Sequence, residues 1–271
     1  MSETVAPTWR IVCARELRDL WIGGKALYLM LIYMVLLGVY AYLFASNAEL
    51  NLLPQNEVVV EIVKASLLVG SFICLTIGAD AFSGERERAT LEGLLLTPTS
   101  RRQIVVGKFL AAVSPWLLAP VIALPYWLTL AKGSPVLLPT ALWGVLLGTL
   151  LAPAFAGVGM LVSVWCNSNK TSMLVSLGLF LVLMLPAGFG PVERAGELHR
   201  RSDLLQWVNP MAAAVRFLQA TAVNRTALHE LWIWLATPVL FPLSVLTALF
   251  TVVGPGVRLY AGSGRQWTTS A

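Results

Sequence analysis

Long apolar runs separated by short polar segments form the dominant pattern of this chain. A helix needs about 20 mainly apolar residues to cross a bilayer. One Lys or Arg at its centre costs about 2.5–3.5 kcal/mol, which offsets roughly six Leu or Ile residues. Charge-poor runs of this length therefore predict membrane helices. Six segments fit: 26–45, 58–79, 109–131, 139–165, 171–189 and 231–253. The second of them carries Glu61 and Lys64 one turn apart near its outer end, where Lys64 can snorkel.

Composition supports a membrane protein over a soluble one. Apolar residues make up 57% of the chain and charged residues only 12%, with a mean hydropathy of +0.75. An ordinary globular chain carries about 25% charged residues. The fold prediction is an all-α polytopic membrane protein, one transmembrane domain over 1–271 with six transmembrane helices. The net charge is +5, and the basic residues flank the apolar runs. This pattern indicates contact with lipid headgroups and not with nucleic acid.

The orientation follows from the Lys and Arg residues beside the apolar runs, which favour the cytoplasmic side. They precede the first run and follow the second: Arg10, Arg15, Arg18 and Lys25, then Arg86, Arg88, Arg101, Arg102 and Lys108. The N-terminus and the 80–108 segment are therefore predicted to be cytoplasmic, and six crossings place both termini there. The predicted outer loop, 190–230, is an exception with five Arg. The rule is weakest for long loops.

Residues 8–22 form the first of two segments that predict helices outside the spans. Apolar side chains recur there at three- and four-residue spacing, with charged residues elsewhere on the helix. The pattern predicts an interfacial helix whose basic face meets headgroups. Its candidate residues are Trp9, Arg10, Arg15, Arg18 and Trp21. A plain membrane anchor explains this pattern equally well.

The segment between the second and third runs has the most distinctive sequence. Four charges of alternating sign, at 85–88, precede Thr90, Leu91 and Glu92, three Leu residues, and a Thr97-Pro98 stop. This order predicts a short helix over 84–97, with a charged start and an apolar end, at the inner membrane surface. Its Glu residues suit the N-terminal half of a helix. A solvated cytoplasmic loop remains the alternative interpretation.

The letters ERERATLEGLLLTPTSR over 85–101, followed by Gly107-Lys108, resemble the permeases of type-2 ABC exporters. Many of these permeases carry a similar T-L-E-x-L-L-x-x-P-x-x-R stretch between their second and third membrane helices. The Arg15–Arg18 letters RELR, and Trp207-Val208-Asn209-Pro210 in the predicted outer loop, extend the resemblance. It is closer to the branch related to gliding-motility, sodium-export and nitrous-oxide-reductase maturation permeases than to the polysaccharide-exporting branch, which has a different N-terminal pattern.

The resemblance implies a cytoplasmic coupling helix that docks a separate ATPase. The matching residues are Glu85, Arg86, Glu87, Arg88, Thr90, Leu91 and Glu92. It also implies a connecting helix over 10–21 and a pair of permeases, the second being the same chain or a relative. Two ATPase subunits would bind ATP and Mg, with no cofactor in this chain. The expected location is the bacterial inner membrane.

The remaining chemistry of the sequence favours a transporter subunit over an enzyme. The chain has no G-x-x-x-x-G-K-[ST] phosphate-binding motif, so ATP hydrolysis is expected only in the partner. Its two histidines, His199 and His229, lack metal-ligand spacing, and no catalytic set is visible. A secondary transporter or channel is the alternative, but the centres of the predicted spans lack the ionisable residues that ion-coupled carriers use. Tyr33, central in the first span, is the one candidate for a substrate contact.

Overall fold

The computed structural model describes residues 8–47, 53–89, 100–188, 206–223 and 228–253, without the side chains of 186–188, 228 and 230. Within these ranges every regular element is a helix. The helices are α1 (Thr8–Trp21), α2 (Lys25–Ser46), α3 (Gln55–Asp80), α4 (Ser83–Glu87), α5 (Arg101–Ala131), α6 (Leu137–Trp165), α7 (Asn169–Gly188), α8 (Pro210–Ala222) and α9 (Leu228–Ala248), which continues as a π-turn over Leu249–Val253.

Five of these helices are long and apolar enough to cross a membrane: α2, α3 with α4, α5, α6, and α9 with its π-turn. The prediction of an all-α polytopic membrane protein is therefore confirmed. The sixth predicted span, 171–189, falls on α7. The apolar part of α7, Asn169–Leu185, is shorter than the other five, so a sixth crossing stays a prediction.

Contacts between helix ends show that successive long helices run in opposite directions. At one end, Lys25 at the start of α2 forms an ion pair with Asp80 at the end of α3. The Ser172 hydroxyl at the start of α7 donates to the Ala79 carbonyl there, at 2.7 Å. We call this the charged end. At the opposite end, Gln55 at the start of α3 donates to the Leu130 carbonyl near the end of α5.

The tightest helix pair in the core is α3 with α6, which approach each other through glycines. A Cβ on Gly159 would lie 2.2 Å from the Leu75 carbonyl oxygen, and one on Gly78 would lie 2.2 Å from the Ala156 carbonyl oxygen. Small residues allow membrane helices to pack backbone against backbone, where dispersion replaces the hydrophobic effect as the source of stability. α3 is accordingly the most buried of the membrane-length helices.

The region predicted as an outer loop, 190–230, contains a helix that the sequence analysis did not identify. α8 begins after Asn209, whose side chain accepts from the backbone N–H groups of Met211 and Ala212, and Pro210 occupies its first turn. Both are common at helix starts. Phe217 of α8 is fully buried and meets the Trp143 ring of α6 edge-on, with centroids 4.7 Å apart. At 13 residues α8 is too short to cross a bilayer, so hydrophobic length does not predict it.

α5 also differs from its predicted bounds, because it begins at Arg101 and not at 109. Ser100 caps the helix by accepting from the Gln103 N–H. The basic residues thought to flank the third span therefore lie within its first turns, where Arg101 and Arg102 are exposed but Lys108 is buried.

Candidate functional site

The charged end is organised around the short helix α4, which is fixed to the end of α6. The backbone N–H groups of Phe82 and Ser83 both donate to the Ser163 hydroxyl, at 3.0 and 2.8 Å. The Ser83 hydroxyl donates to the Ala79 carbonyl at 2.7 Å. These bonds hold the chain as it turns out of α3, so the side chains that follow have defined directions.

The four alternating charges at 85–88 divide into two pairs with different surroundings. Glu85 and Arg86 are partly buried against the protein, whereas Glu87 and Arg88 are exposed. The Arg86 guanidinium donates to the Cys166 carbonyl and to the Val164 carbonyl, the latter at 3.3 Å. Carbonyls at a helix C-terminus lack intrahelical partners, and a cation there is favourable. Arg86 therefore stabilises the end of α6.

Glu85 is held by Lys108 of α5, whose ammonium lies 2.9 Å from the Glu85 carboxylate and 2.9 Å from that of Glu16 in α1. The Lys108 side chain is only 1% exposed. Sequence reasoning counted Lys108 as an orienting charge and did not single out Glu16. Only the extension of α5 back to Arg101, which places Lys108 on its buried face, could have revealed this role.

A cavity of about 220 Å³ opens beside this cluster, bordered by Glu16, Lys25, Asp80, Glu85 and Lys108 among others. The Lys25–Asp80 ion pair forms one of its walls. Positive and negative groups both line it, so the cavity has no strong preference for an anion or a cation. Within the described ranges no group of three or more His, Cys, Asp or Glu could hold a metal ion.

The predicted interfacial helix is present as α1, and it packs against α5. Val12 and Leu20 are buried, and the Trp21 indole N–H donates to the Ser114 hydroxyl of α5 at 3.0 Å. Trp9 is partly buried. The three basic candidate residues of α1, Arg10, Arg15 and Arg18, are exposed. One face of α1 is thus part of the protein, while the basic face stays available for headgroups or a partner.

The predicted coupling helix 84–97 is only partly within the described residues. α4 ends at Glu87, and Ala89 has a φ of 56° in the left-handed region, which interrupts a helix. α4 therefore ends at Glu87, ten residues before the predicted end of the coupling helix at 97. Thr90, Leu91 and Glu92 lie outside the described residues. Their part in partner binding stays a prediction.

Tyr33, the candidate substrate contact, is 1% exposed, and its hydroxyl donates to the Ser66 carbonyl of α3 at 3.4 Å. Tyr33 belongs to α2 and contacts α3 in this structure, and its contact with substrate stays a prediction. Lys64 donates to Glu61 at 2.6 Å, and Glu61 also accepts from the Tyr40 hydroxyl at 3.3 Å; whether Lys64 snorkels stays a prediction.

Comparison with protein families identifies the class of protein. A family model described as ABC-2 family transporter protein matches residues 11–261, which is most of the chain. The chain belongs to this family, and it is a membrane permease of an ABC transporter. Membership implies an ABC ATPase partner, and it favours this class over the secondary transporter or channel considered above. A comparison with curated proteins found no significant match.

Proposed function

We propose that this chain is the membrane half of an ATP-driven exporter and that its ATPase subunit docks on the exposed pair Glu87 and Arg88. Two permeases, identical or related, and two ATPases form the complex. ATP and Mg bind to the ATPase subunits. The charged end faces the cytoplasm of a bacterial inner membrane, and both termini lie on that side.

The observation that carries this proposal is the division of the four charges at 85–88. Glu85 and Arg86 are used within the chain, by Lys108 and by the end of α6. Glu87 ends the same short helix, Arg88 directly follows it, and both are exposed. A docking element needs one side fixed to the permease and the other side free to meet the partner. α4 has this arrangement, and the family implies the partner.

The distribution of basic residues supports the proposal that the charged end faces the cytoplasm. Lys25, Arg101 and Arg102 lie at the charged end, together with the basic face of α1. Lys and Arg beside short loops favour the cytoplasmic side. α2 begins at this end, and α9 ends there, because Leu249 and Val253 pack with Phe82 and Val105.

Charge reversal tests the docking surface with a matched pair of exposed residues. Arg88 and Lys132 each directly follow a helix, α4 at the charged end and α5 at the opposite end, and both are exposed. An exposed ion pair contributes about 0–1 kcal/mol, but truncating one partner of a pair desolvated at an interface costs about 2–5 kcal/mol. Arg88→Glu should therefore weaken ATPase binding roughly thirtyfold or more.

The measurement is copurification of the ATPase with the tagged permease, followed by titration of the ATPase onto permease in nanodiscs. Lys132→Glu should bind the ATPase as wild type does, because it is at the other end of α5. Membrane insertion should be normal in both variants. Equal ATPase affinity for Arg88→Glu and wild type would contradict docking at this pair.

A further inference from the structure

Lys108 lies where α1, α4 and α5 meet. The proposed docking surface does not explain why a cation is buried there. Lys108 belongs to α5, and its ammonium is 2.9 Å from Glu16 of α1 and 2.9 Å from Glu85 of α4. The Phe82 ring lies 5.8 Å from the ammonium. A buried ammonium is unfavourable unless it is paired. The two carboxylates therefore hold the side chain, and the side chain in turn holds α1 and α4 together.

The contact between α1 and α5 is close along the same face. A Cβ on Gly107 would lie 2.8 Å from a Val12 side-chain carbon and 3.0 Å from the Cys13 backbone nitrogen, so α1 approaches at a point where α5 has no side chain. Two turns further along, Ser114 accepts from Trp21. Steric fit and polar contacts thus fix α1 on α5, and α1 should move with that helix.

The link from α4 to this pair runs through Glu85. Two residues beyond Glu85 is Glu87, the first of the exposed charges proposed to meet the ATPase. α4 has only five residues. A displacement at Glu87 and Arg88 therefore cannot be absorbed over a long helix before it reaches Glu85.

We propose that Lys108 is a positioning residue that transmits displacement of the docking segment to α1 and α5 together. When the ATPase subunits close on ATP and move α4, the Glu85–Lys108–Glu16 ion pairs carry the interfacial helix and the third span with it. This inference rests on the proposed function. It separates binding from transmission, because Lys108 is buried and does not touch the partner.

The first test uses the full-length chain alone in nanodiscs and needs no ATPase. Cys13, Cys74 and Cys166 are replaced by Ala, and spin labels are placed at Ala14 of α1 and at Ala89 after α4, both of which are exposed. The distance distribution between the labels should be narrow. Lys108→Met should broaden it, and Lys108→Arg should restore most of the narrow distribution. A Lys108→Met distribution identical to the parent would overturn the link.

The second test adds the ATPase subunit that copurifies with the chain. Labels at Ala14 and at Pro135, an exposed residue at the opposite end, should shift in distance when ATP and vanadate trap the closed ATPase. Lys108→Met should bind the ATPase but lose this shift. Lys64→Met is the control, because Lys64 also pairs with a carboxylate, that of Glu61, but within α3 and far from α4; its side chain is 15% exposed. It should keep the shift.

Two further variants distinguish a loss of transmission from a folding defect. Glu16→Gln keeps the Lys108–Glu85 pair, and it should keep most of the shift because α1 is also fixed on α5 through Val12 and Trp21. The exchange Lys108→Glu with Glu85→Lys should recover part of the shift. An undiminished shift in Lys108→Met would overturn the proposal. A wild-type chain that binds no ATPase would overturn the proposed function and the transmission role with it, while the labels on the chain alone would still decide the ion-pair link.

Discussion

At the charged end, side chains of α1, α2, α3, α4 and α5 meet through ion pairs, whereas the opposite end is held mainly by apolar burial. Lys108 and Lys25 pair with carboxylates of other helices at the charged end. At the opposite end, α8 buries nine of its residues, including Met211 and Phe217, against its neighbours. Ion pairs depend on direction and can be re-formed after a small movement. Apolar packing is disrupted by movement, because its contacts require close fit.

This difference indicates that the two ends have different roles. A region that binds a partner and passes on its movement needs polar groups whose partners are defined. A region that only maintains the bundle needs dense packing and few charges. The comparison therefore predicts that substitutions at the opposite end reduce stability, while substitutions at the charged end can reduce function with less loss of fold.

The largest expected effect comes from a charge buried at the opposite end. Ala213 of α8 is 0% exposed, whereas Val208, two residues before α8 begins, is 66% exposed. Ala213→Asp places a carboxylate in an apolar contact with no designed partner, and an uncompensated buried charge costs about 3–5 kcal/mol. Thermal unfolding in detergent and the yield of folded protein should both fall sharply. Val208→Asp should leave both near the wild-type values, and an equal loss in the two variants would contradict the assigned burial of α8.

A smaller effect is expected within the charged end, where Arg86 and Arg88 are two residues apart. Arg86→Ala removes the donor to the Cys166 and Val164 carbonyls. Hydrogen bonds to a charged group contribute about 1.5–3 kcal/mol. The melting temperature of Arg86→Ala should fall, and that of Arg88→Ala should stay close to wild type. A reversed order would mean that Arg88, and not Arg86, secures α4.

The membrane-length helices could be predicted because hydrophobic length is a local property of the sequence. α2 and α6 differ from their predicted bounds by two residues or fewer at each end. α8 was missed since its apolar residues form a run too short to cross a bilayer. Its burial depends on contacts with α6, α7 and α9, which no local window contains.

The docking segment was recognised from its residues, but the roles of its charges could not be assigned. The letters E-R-E-R do not indicate which two face inward, because that depends on where Lys108 and the end of α6 lie in space. Lys108 itself resembles an ordinary flanking cation in the sequence. Its burial follows from the extra turns of α5 and from the approach of α1, both of which are tertiary effects.

The most direct measurement of the central claim is site-specific photo-crosslinking of the complete complex in membranes. A photoreactive amino acid at Glu87 should crosslink to the ATPase subunit, because this exposed residue is proposed to lie in the docking surface. The same amino acid at Pro135, equally exposed at the opposite end, should give no ATPase adduct. An ATPase adduct at Pro135 and none at Glu87 would contradict both the docking surface and the orientation.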